Sequence, residues 1–180
     1  HGTATYGTFG AAAAAAKLLG LNEDQTTTAL GIAATQAAGL KAMFGTMCKP
    51  LHAGKAASNG LLAARLAKKG FTSRPDAIEC AQGFAATQAD GFKALPVKIS
   101  HNEKLAVEEN LFKYHASCYL THAGIDAIKS LRDENNIKVE QVTSVKQFVP
   151  KTHFSVCNIA EPVTGLEVKF SMRHTAAMAL

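Results

Sequence analysis

A stretch rich in alanine and leucine runs from Pro50 to Lys69 and predicts the strongest helix of this 180-residue chain. Pro50 suits the first turn of a helix, because the N–H group that it lacks would have no partner there. Lys68 and Lys69 complement the negative partial charge at the C-terminal end, and Gly70 closes the helix. Alanine and glycine are also abundant elsewhere, which predicts closely packed helices.

The rest of the first half also has helical patterns. Residues 11–21 predict a helix, and Asn22 with Gln25 predicts a capping box at the start of a second helix that reaches about Leu40. Residues 73–76 predict the start of another helix. The first half is therefore expected to be helical.

The second half has a more varied pattern. A helix is predicted from His122 to about Asn135, and a last helix opens at Phe170. Residues 138–149 alternate imperfectly between apolar and polar side chains and predict a strand, and residues 154–158 predict a second strand.

These patterns predict an α+β protein with two domains. A mainly helical first domain, residues 1–96, is followed by a smaller mixed α/β domain, residues 97–180. The boundary is placed near Pro96, in a segment with loop character that reaches His101.

Composition and charge exclude several classes of protein. Hydrophobic residues make up 47% of the chain and charged residues 18%, which is typical of a globular protein. No apolar run is long enough to span a membrane, and no secretory signal is visible. The net charge of +5 comes from scattered lysines without interleaved aromatic residues, so no nucleic-acid partner is expected. The four cysteines are far apart, which predicts reduced thiols in a cytoplasmic protein and no zinc site.

Lys49 and His52 stand three positions apart at the start of the strongest helix. Positions three apart share a helix face, so both side chains can meet one ligand. A helix N-terminus has unpaired N–H groups and a positive partial charge, which suit an anion. The alternative is a solvated lysine and a hydrogen-bonded histidine at a turn, and the residues alone favour this alternative somewhat.

Four stretches carry a resemblance to a known family: residues 1–11 (HGTATYGTFGA), 45–57 (GTMCKPLHAGKAA), 114–122 (YHASCYLTH) and 170–180 (FSMRHTAAMAL). In this order they resemble motifs of the MmgE/PrpD family, which includes 2-methylcitrate dehydratases, cis-aconitate decarboxylases and an iminodisuccinate epimerase. The resemblance is specific for the family and not for one reaction. It implies a large helical domain, a smaller α+β domain and an active site between them.

The resemblance also implies catalytic residues, because His1, Lys49 and His122 match positions that line the active site of relatives. Family reactions move a proton on a carbon beside a carboxylate, which needs an acid and a base that work near neutral pH. They also need fixed cations for the carboxylates. No metal or other cofactor is predicted, because the histidines and cysteines lack metal-ligand spacing.

His52, Arg173 and His174 are the predicted substrate-binding residues. Arg173 has a planar guanidinium that can hold a carboxylate through two hydrogen bonds. His174 falls near the place where the decarboxylases have a tyrosine, so this chain departs from their pattern there.

Other candidates have plainer interpretations. His122 can instead cap the start of its helix, and His115 and His153 are interpreted as ordinary surface or loop histidines. Cys118 is close in sequence to His122, but a buried thiol is favoured over a nucleophile because no third orienting group is apparent.

The predicted function is that of a lyase acting on a small di- or tricarboxylate, similar to 2-methylcitrate dehydratase in propionate catabolism. Decarboxylation of cis-aconitate is disfavoured by His174. Epimerisation of a dicarboxylate such as iminodisuccinate is an alternative, and so is an inactive truncated member that binds anions or a partner chain. The resemblance also implies a homodimer.

The chain begins on a family motif and stops at Leu180 within a helical pattern. We interpret it as an internal piece of a protein more than twice as long. Relatives draw an aspartate, a threonine and another histidine from the segment before this chain, so we predict little or no turnover by the isolated 180 residues.

Overall fold

A computed structural model describes residues 1–93 and 104–180. The described residues form two compact units, the first with residues 1–42 and 48–93 and the second with residues 43–47 and 104–180. The predicted boundary at Pro96 and the loop position His101 lie outside the described residues, so the division into domains stays a prediction. No helix in the described part of the chain is long and apolar enough to cross a membrane.

The first unit is built from helices that share a core of small side chains. Its helices are α1 (Gly2–Leu18), α2 (Glu23–Gln36), α3 (Cys48–Lys68) and the short α4 (Phe84–Gln88). Helices α1, α2 and α3 contact one another. The buried cluster between them consists of one isoleucine and seven alanines: Ala12, Ala15, Ala29, Ile32, Ala33, Ala63, Ala64 and Ala67. The predicted close packing of helices is therefore confirmed.

Gly60 shows how close α1 and α3 come. A Cβ atom on Gly60 would lie 2.5 Å from the backbone nitrogen of Ala12 and 2.5 Å from the Cβ of Ala11. Real Cβ atoms do not approach other atoms so closely, so glycine is needed at this crossing. The packed face of α3 can then lie directly against the backbone of α1.

The helix ends in the first unit agree with the sequence in part. The predicted capping box is confirmed, because Asn22 Oδ1 accepts from Gln25 N at 2.9 Å and Gln25 Oε1 accepts from Asn22 N at 3.2 Å. Helix α2 ends at Gln36 and not near Leu40, since Ala37 turns to an extended conformation. Helix α1 begins at Gly2 and not at position 11, because packing against α3 outweighs the low helix propensity of its early glycines. Residues 75–82 form turns and bends where a helix was predicted.

The second unit consists of shorter elements. Its helices are α5 (Tyr119–Asn135), α6 (Gly165–Val168) and α7 (Met172–Ala179). Helix α5 ends where predicted, with Asn136 in the left-handed conformation at φ 51°. Ser171 opens α7 as predicted, and its Oγ accepts from His174 N at 3.2 Å. Helices α5 and α7 pack through Ile128, Ala176 and Ala179.

The predicted α+β class is wrong for the described residues, which are helical with turns and loops. Where a strand was predicted over residues 138–149, the structure has a 3-10 turn, Val139–Gln141, followed by irregular chain. The second predicted strand falls on a 3-10 turn, Lys151–Ser155, and irregular chain. Within the described part, β-pairing is limited to one antiparallel bridge between Asn158 and Ser171. A β-like pattern needs a partner strand to satisfy its backbone. Residues 138–149 have no such partner in the described part, and residues 154–158 pair only through this single bridge.

Candidate functional site

His1 and His52 form a hydrogen-bonded pair in the first unit. Their Nδ1 atoms are 2.8 Å apart, and the centres of the rings are 4.8 Å apart at an angle of 42°. His1 precedes α1, and His52 lies in the first turns of α3, so the packing of these two helices brings together residues 51 positions apart. The two imidazoles are partly buried.

Gly39 contacts both members of this pair. The backbone nitrogen of His1 donates to the carbonyl oxygen of Gly39 at 2.9 Å. A Cβ atom on Gly39 would lie 3.3 Å from His52 Nε2 and 2.4 Å from the Cβ of Ala4. The absence of a side chain at position 39 therefore lets the loop after α2 lie against the pair.

His1 also lines a cavity of about 690 Å³ in the first unit. The wall is mainly apolar and aromatic, with a few polar groups near His1. Its lining residues are His1, Gly2, Thr5, Tyr6, Phe9, Leu30, Ile78, Phe84, Ala85, Gln88, Ala89 and Phe92. A cavity of this size, largely apolar with a few polar groups, is typical of a small-molecule site.

Lys49 lies next to the start of α3, three positions before His52, and is partly buried. The predicted placement of both side chains in the first turns of one helix is therefore confirmed. Helix α3 begins two residues before Pro50, so Lys49 is inside the helix and not ahead of it. Its ammonium group is in the same unit as the His1–His52 pair.

His122 lies in the first turn of α5 in the second unit and is only 8% exposed. Its Nε2 atom is buried and has no hydrogen-bond partner among the described residues. Its ring contacts His115 edge-on and Tyr119 at a tilt, with 5.0 Å between ring centres in each case. A buried polar atom without a partner costs about 1–3 kcal/mol, so a ligand, a water molecule or a catalytic role is needed to account for it.

His115 has a more definite place than the sequence predicted. Its Nε2 atom is 2.7 Å from Asp126 Oδ1, and its ring packs against His122. The carboxylate thus orients the ring that contacts the buried histidine. The 11-residue separation between His115 and Asp126 spans a loop and a helix start, and no simple spacing rule predicts such a pair.

The two cysteines of the second unit differ in burial, since Cys118 is partly buried and Cys157 is buried. A hydrogen bond with the Cys118 side chain, and then burial, raise the pKa of the Cys157 thiol far above its ordinary value. Cys157 is fully buried, and its thiol is therefore protonated at neutral pH.

Arg173 and His174 follow the capping residue of α7. Arg173 is exposed and lines a groove of about 340 Å³, whose other polar lining residues are Gln147 and Asn158. His174 is partly buried. Of the six predicted site residues, His1, Lys49 and His52 belong to the first unit, and His122, Arg173 and His174 belong to the second. Their convergence on one cleft stays a prediction.

Comparison with known proteins identifies the family. The model for the MmgE/PrpD N-terminal domain matches residues 1–95, and the model for the C-terminal domain matches residues 115–180. The chain is 31% identical to cis-aconitate decarboxylase from Homo sapiens over 186 aligned residues, which cover 100% of this chain and 38% of that protein. It is 35% identical to cis-aconitate decarboxylase from Aspergillus terreus over 147 residues, which cover 73% of this chain and 29% of that protein.

The cis-aconitate decarboxylase of Mus musculus is also 35% identical, over 133 residues that cover 73% of this chain and 27% of that protein. The chain thus spans less than two fifths of the length of these relatives. The two domain models together match nearly all of the sequence, in the order that the motifs predicted. The chain belongs to the MmgE/PrpD family.

Proposed function

We propose that this chain supplies proton-transfer and carboxylate-binding groups to a lyase that acts on a small di- or tricarboxylate. One observation carries the proposal: His1, which is hydrogen-bonded to His52, lies on the wall of a cavity in a family chain that is similar along its whole length to a cis-aconitate decarboxylase. Two histidines that share a hydrogen bond can accept and return a proton near neutral pH.

The proposed roles follow from the chemistry of each side chain. His1 moves the proton at the carbon beside a carboxylate, taking it in a dehydration and delivering it in a decarboxylation, and the Lys49 ammonium holds a carboxylate and stabilises the charge that develops. His122 offers a buried Nε2 atom to a substrate oxygen or proton. Arg173 binds a further carboxylate with its guanidinium.

Decarboxylation of cis-aconitate is the leading candidate reaction. The relatives with the highest similarity that we report bear that name, and one of them aligns with all of this chain. Dehydration of 2-methylcitrate is the second candidate. It is favoured by His174, which stands near the place of a tyrosine in the decarboxylases.

A cytoplasmic location and a homodimer remain parts of this proposal. None of the four cysteines forms a disulfide bond in the described part of the chain, which supports a reducing compartment. The homodimer rests on the family resemblance, and sedimentation of the purified protein tests it.

The reaction is tested with protein expressed from the complete open reading frame that contains these residues, because we predict little turnover by the isolated chain. The protein is incubated in deuterated water with cis-aconitate or with 2-methylcitrate, and the products are followed by NMR. We expect exchange at a carbon beside a carboxylate together with loss of carbon dioxide from cis-aconitate. Loss of water from 2-methylcitrate would instead support the dehydratase candidate.

Two substitutions assign the roles. Replacing His1 by Asn should abolish exchange, whereas Lys49→Met should mainly raise KM, because it removes a charge and keeps the length of the side chain. Exchange without loss of carbon dioxide or water would indicate an epimerase. Binding without exchange in the unsubstituted protein would overturn the lyase proposal in favour of an inactive anion-binding member.

A further inference from the structure

We propose that His52 is a positioning residue that sets the tautomer of the His1 imidazole, and that it does not bind the substrate itself. The inference rests on the proposed function only where it gives His1 a role in proton transfer. The position of the hydrogen within the pair is a property of the folded chain and can be measured without turnover.

The short distance between the two rings limits which ring nitrogens can carry a hydrogen atom. The two Nδ1 atoms are 2.8 Å apart, which is hydrogen-bond distance. A neutral imidazole has a hydrogen on one nitrogen and a lone pair on the other. One ring must therefore donate from Nδ1 while the other accepts at Nδ1, so the tautomer of each ring depends on its neighbour.

The surroundings of the two rings differ, because only one of them lines a cavity. His1 is among the residues that line the 690 Å³ cavity, and His52 is not. The far side of the His52 ring lies against Gly39, where an added Cβ atom would be 3.3 Å from Nε2. His1 is thus the member that lines the cavity, and its Nε2 atom is the ring nitrogen outside the hydrogen bond to His52.

The chemistry assigns the direction of the hydrogen bond. For His1 Nε2 to accept a proton, the ring must keep its hydrogen on Nδ1, and His52 Nδ1 must accept that hydrogen bond. In dehydration the C–H bond of the substrate breaks, the proton binds His1 Nε2, and the electron pair forms the C=C bond while the hydroxyl group takes up a proton and leaves as water. In decarboxylation the bond to the departing carboxylate breaks, its electron pair forms the new C=C bond, the carbon at the far end of the former double bond takes up a proton from the His1 imidazolium Nε2, and carbon dioxide leaves. The imidazolium that forms is stabilised because its Nδ1–H bond to His52 becomes charge-assisted.

Contacts with the backbone at Gly39 hold the two imidazole rings in position relative to each other. Gly39 accepts the bond from the backbone nitrogen of His1 and also lies against the imidazole of His52. Replacing Gly39 by Ala would bring a Cβ atom within 2.4 Å of the Ala4 Cβ, so the loop would have to move. The geometry of the pair therefore depends on position 39 as well as on the two histidines.

The experiment measures the tautomers directly. The 180-residue chain is labelled with ¹⁵N in its histidines, and long-range ¹H–¹⁵N correlations are recorded, with the His1 signals identified from a His1→Asn variant. We expect the neutral His1 ring to carry its hydrogen on Nδ1 and the His52 ring to carry its hydrogen on Nε2. The opposite assignment in the folded wild-type chain would overturn the proposal.

Matched variants separate positioning from a structural role. The side-chain oxygen of His52→Asn can replace the Nδ1 acceptor, so His1 should keep its tautomer. His52→Leu has no acceptor, so His1 should lose its preference for Nδ1–H while circular dichroism shows an unchanged helix content. If His52→Leu does not fold, His52→Ala serves in its place, because alanine also lacks a side-chain acceptor. An unchanged His1 tautomer in the variant without an acceptor would overturn the proposal.

A second readout links the pair to turnover in the protein from the complete open reading frame. His52→Leu should lower kcat about 10- to 100-fold with little change in KM, an effect of the size found for the partners that orient metal-ligating histidines. His52→Asn should restore most of the loss. A rise in KM with unchanged kcat would show that His52 binds the substrate and would overturn the proposal. If no turnover is found, the proposed function fails while the tautomer measurement still decides the role of His52.

Discussion

The core of the first unit is made by three helices that approach closely, whereas the second unit depends on one helix pair and on the hydrogen bonds of turns and caps. In the first unit, eight buried residues from α1, α2 and α3 form one cluster. In the second, the corresponding cluster has three residues. A small buried side chain contributes little to stability by itself, but it lets helices approach closely and make many contacts. The same substitution should therefore destabilise the two units to different extents.

The largest expected effects come from two isoleucines that are equally buried. Ile32 and Ile128 are each 7% exposed, and replacing either by Ala should cost about 2–4 kcal/mol. We expect Ile128→Ala to open the second unit throughout, because its neighbours in the cluster, Ala176 and Ala179, cannot replace the lost contacts. The first unit should stay folded in Ile32→Ala, because its cluster includes seven alanines on three helices.

Amide hydrogen exchange followed by mass spectrometry distinguishes the two results, because it reports protection for each unit. Leu131→Ala is the control on α5, since Leu131 is exposed and its replacement should cost little. A larger loss of protection in the first unit of Ile32→Ala than in the second unit of Ile128→Ala would refute the comparison.

The next effect is confined to α3, where two glycines meet different surroundings. Gly60→Ala should destabilise the first unit by about 1–3 kcal/mol, because the added Cβ atom meets the backbone of α1. Gly54→Ala is the matched control, since nothing lies within 4 Å of its added Cβ atom. That variant should gain about 0.5–1 kcal/mol from the better helix propensity of alanine. Thermal unfolding measures both, and equal shifts would show that the α1–α3 crossing can relax.

In the first unit the start of α2 and the long helix α3 were predicted correctly, because their signals are local, whereas the start of α1 and the helix expected from residue 73 were not. Asn22 and Gln25 are three residues apart and form the predicted capping box, and the alanine-rich run after Pro50 folds as α3. The predicted strand over residues 138–149 failed because side-chain alternation does not reveal whether a partner strand is available. Helix and cap depend on near neighbours, whereas a sheet depends on distant ones.

The candidate site could be predicted only in part, for the same reason. Lys49 and His52 are near each other in sequence, so their shared helix turn was predictable. The contact between His1 and His52 depends on how α1 crosses α3, and the pairing of His115 with Asp126 depends on a loop. Family resemblance supplied His1 and His122 as candidates, but it gave no partner for either ring.

Helix caps should give smaller effects that again differ between the units. Asn22→Ala removes an exposed cap of α2 and should cost about 1 kcal/mol. Ser171→Ala removes a fully buried cap of α7, where His174 N would lose its acceptor, so its cost should be nearer 2 kcal/mol. Asn22→Asp is the control that keeps an acceptor. Urea unfolding compares the variants, and a smaller cost at Ser171 would show that the second unit relies less on its caps than we infer.

The smallest expected effect concerns acid stability and compares two exposed carboxylates. The backbone nitrogens of Val163 and Thr164 donate to Glu167 Oε2 at 2.8 and 2.9 Å. These hydrogen bonds lower the pKa of Glu167. The carboxylate therefore adds stability above its unfolded pKa of about 4.3, and this contribution is lost as the pH falls through the lower folded pKa. Glu167→Gln should thus make the second unit less sensitive to acid.

In the first unit, the hydrogen bond from Arg74 likewise lowers the pKa of Asp76. Arg74 is an exposed side chain that can adapt its position, so Asp76→Asn should change acid sensitivity less than Glu167→Gln does. Urea unfolding between pH 5 and pH 3 measures how much stability each variant loses. A larger change in acid sensitivity for Asp76→Asn than for Glu167→Gln would mean that the salt bridge contributes more to acid sensitivity than the carboxylate bound by backbone nitrogens.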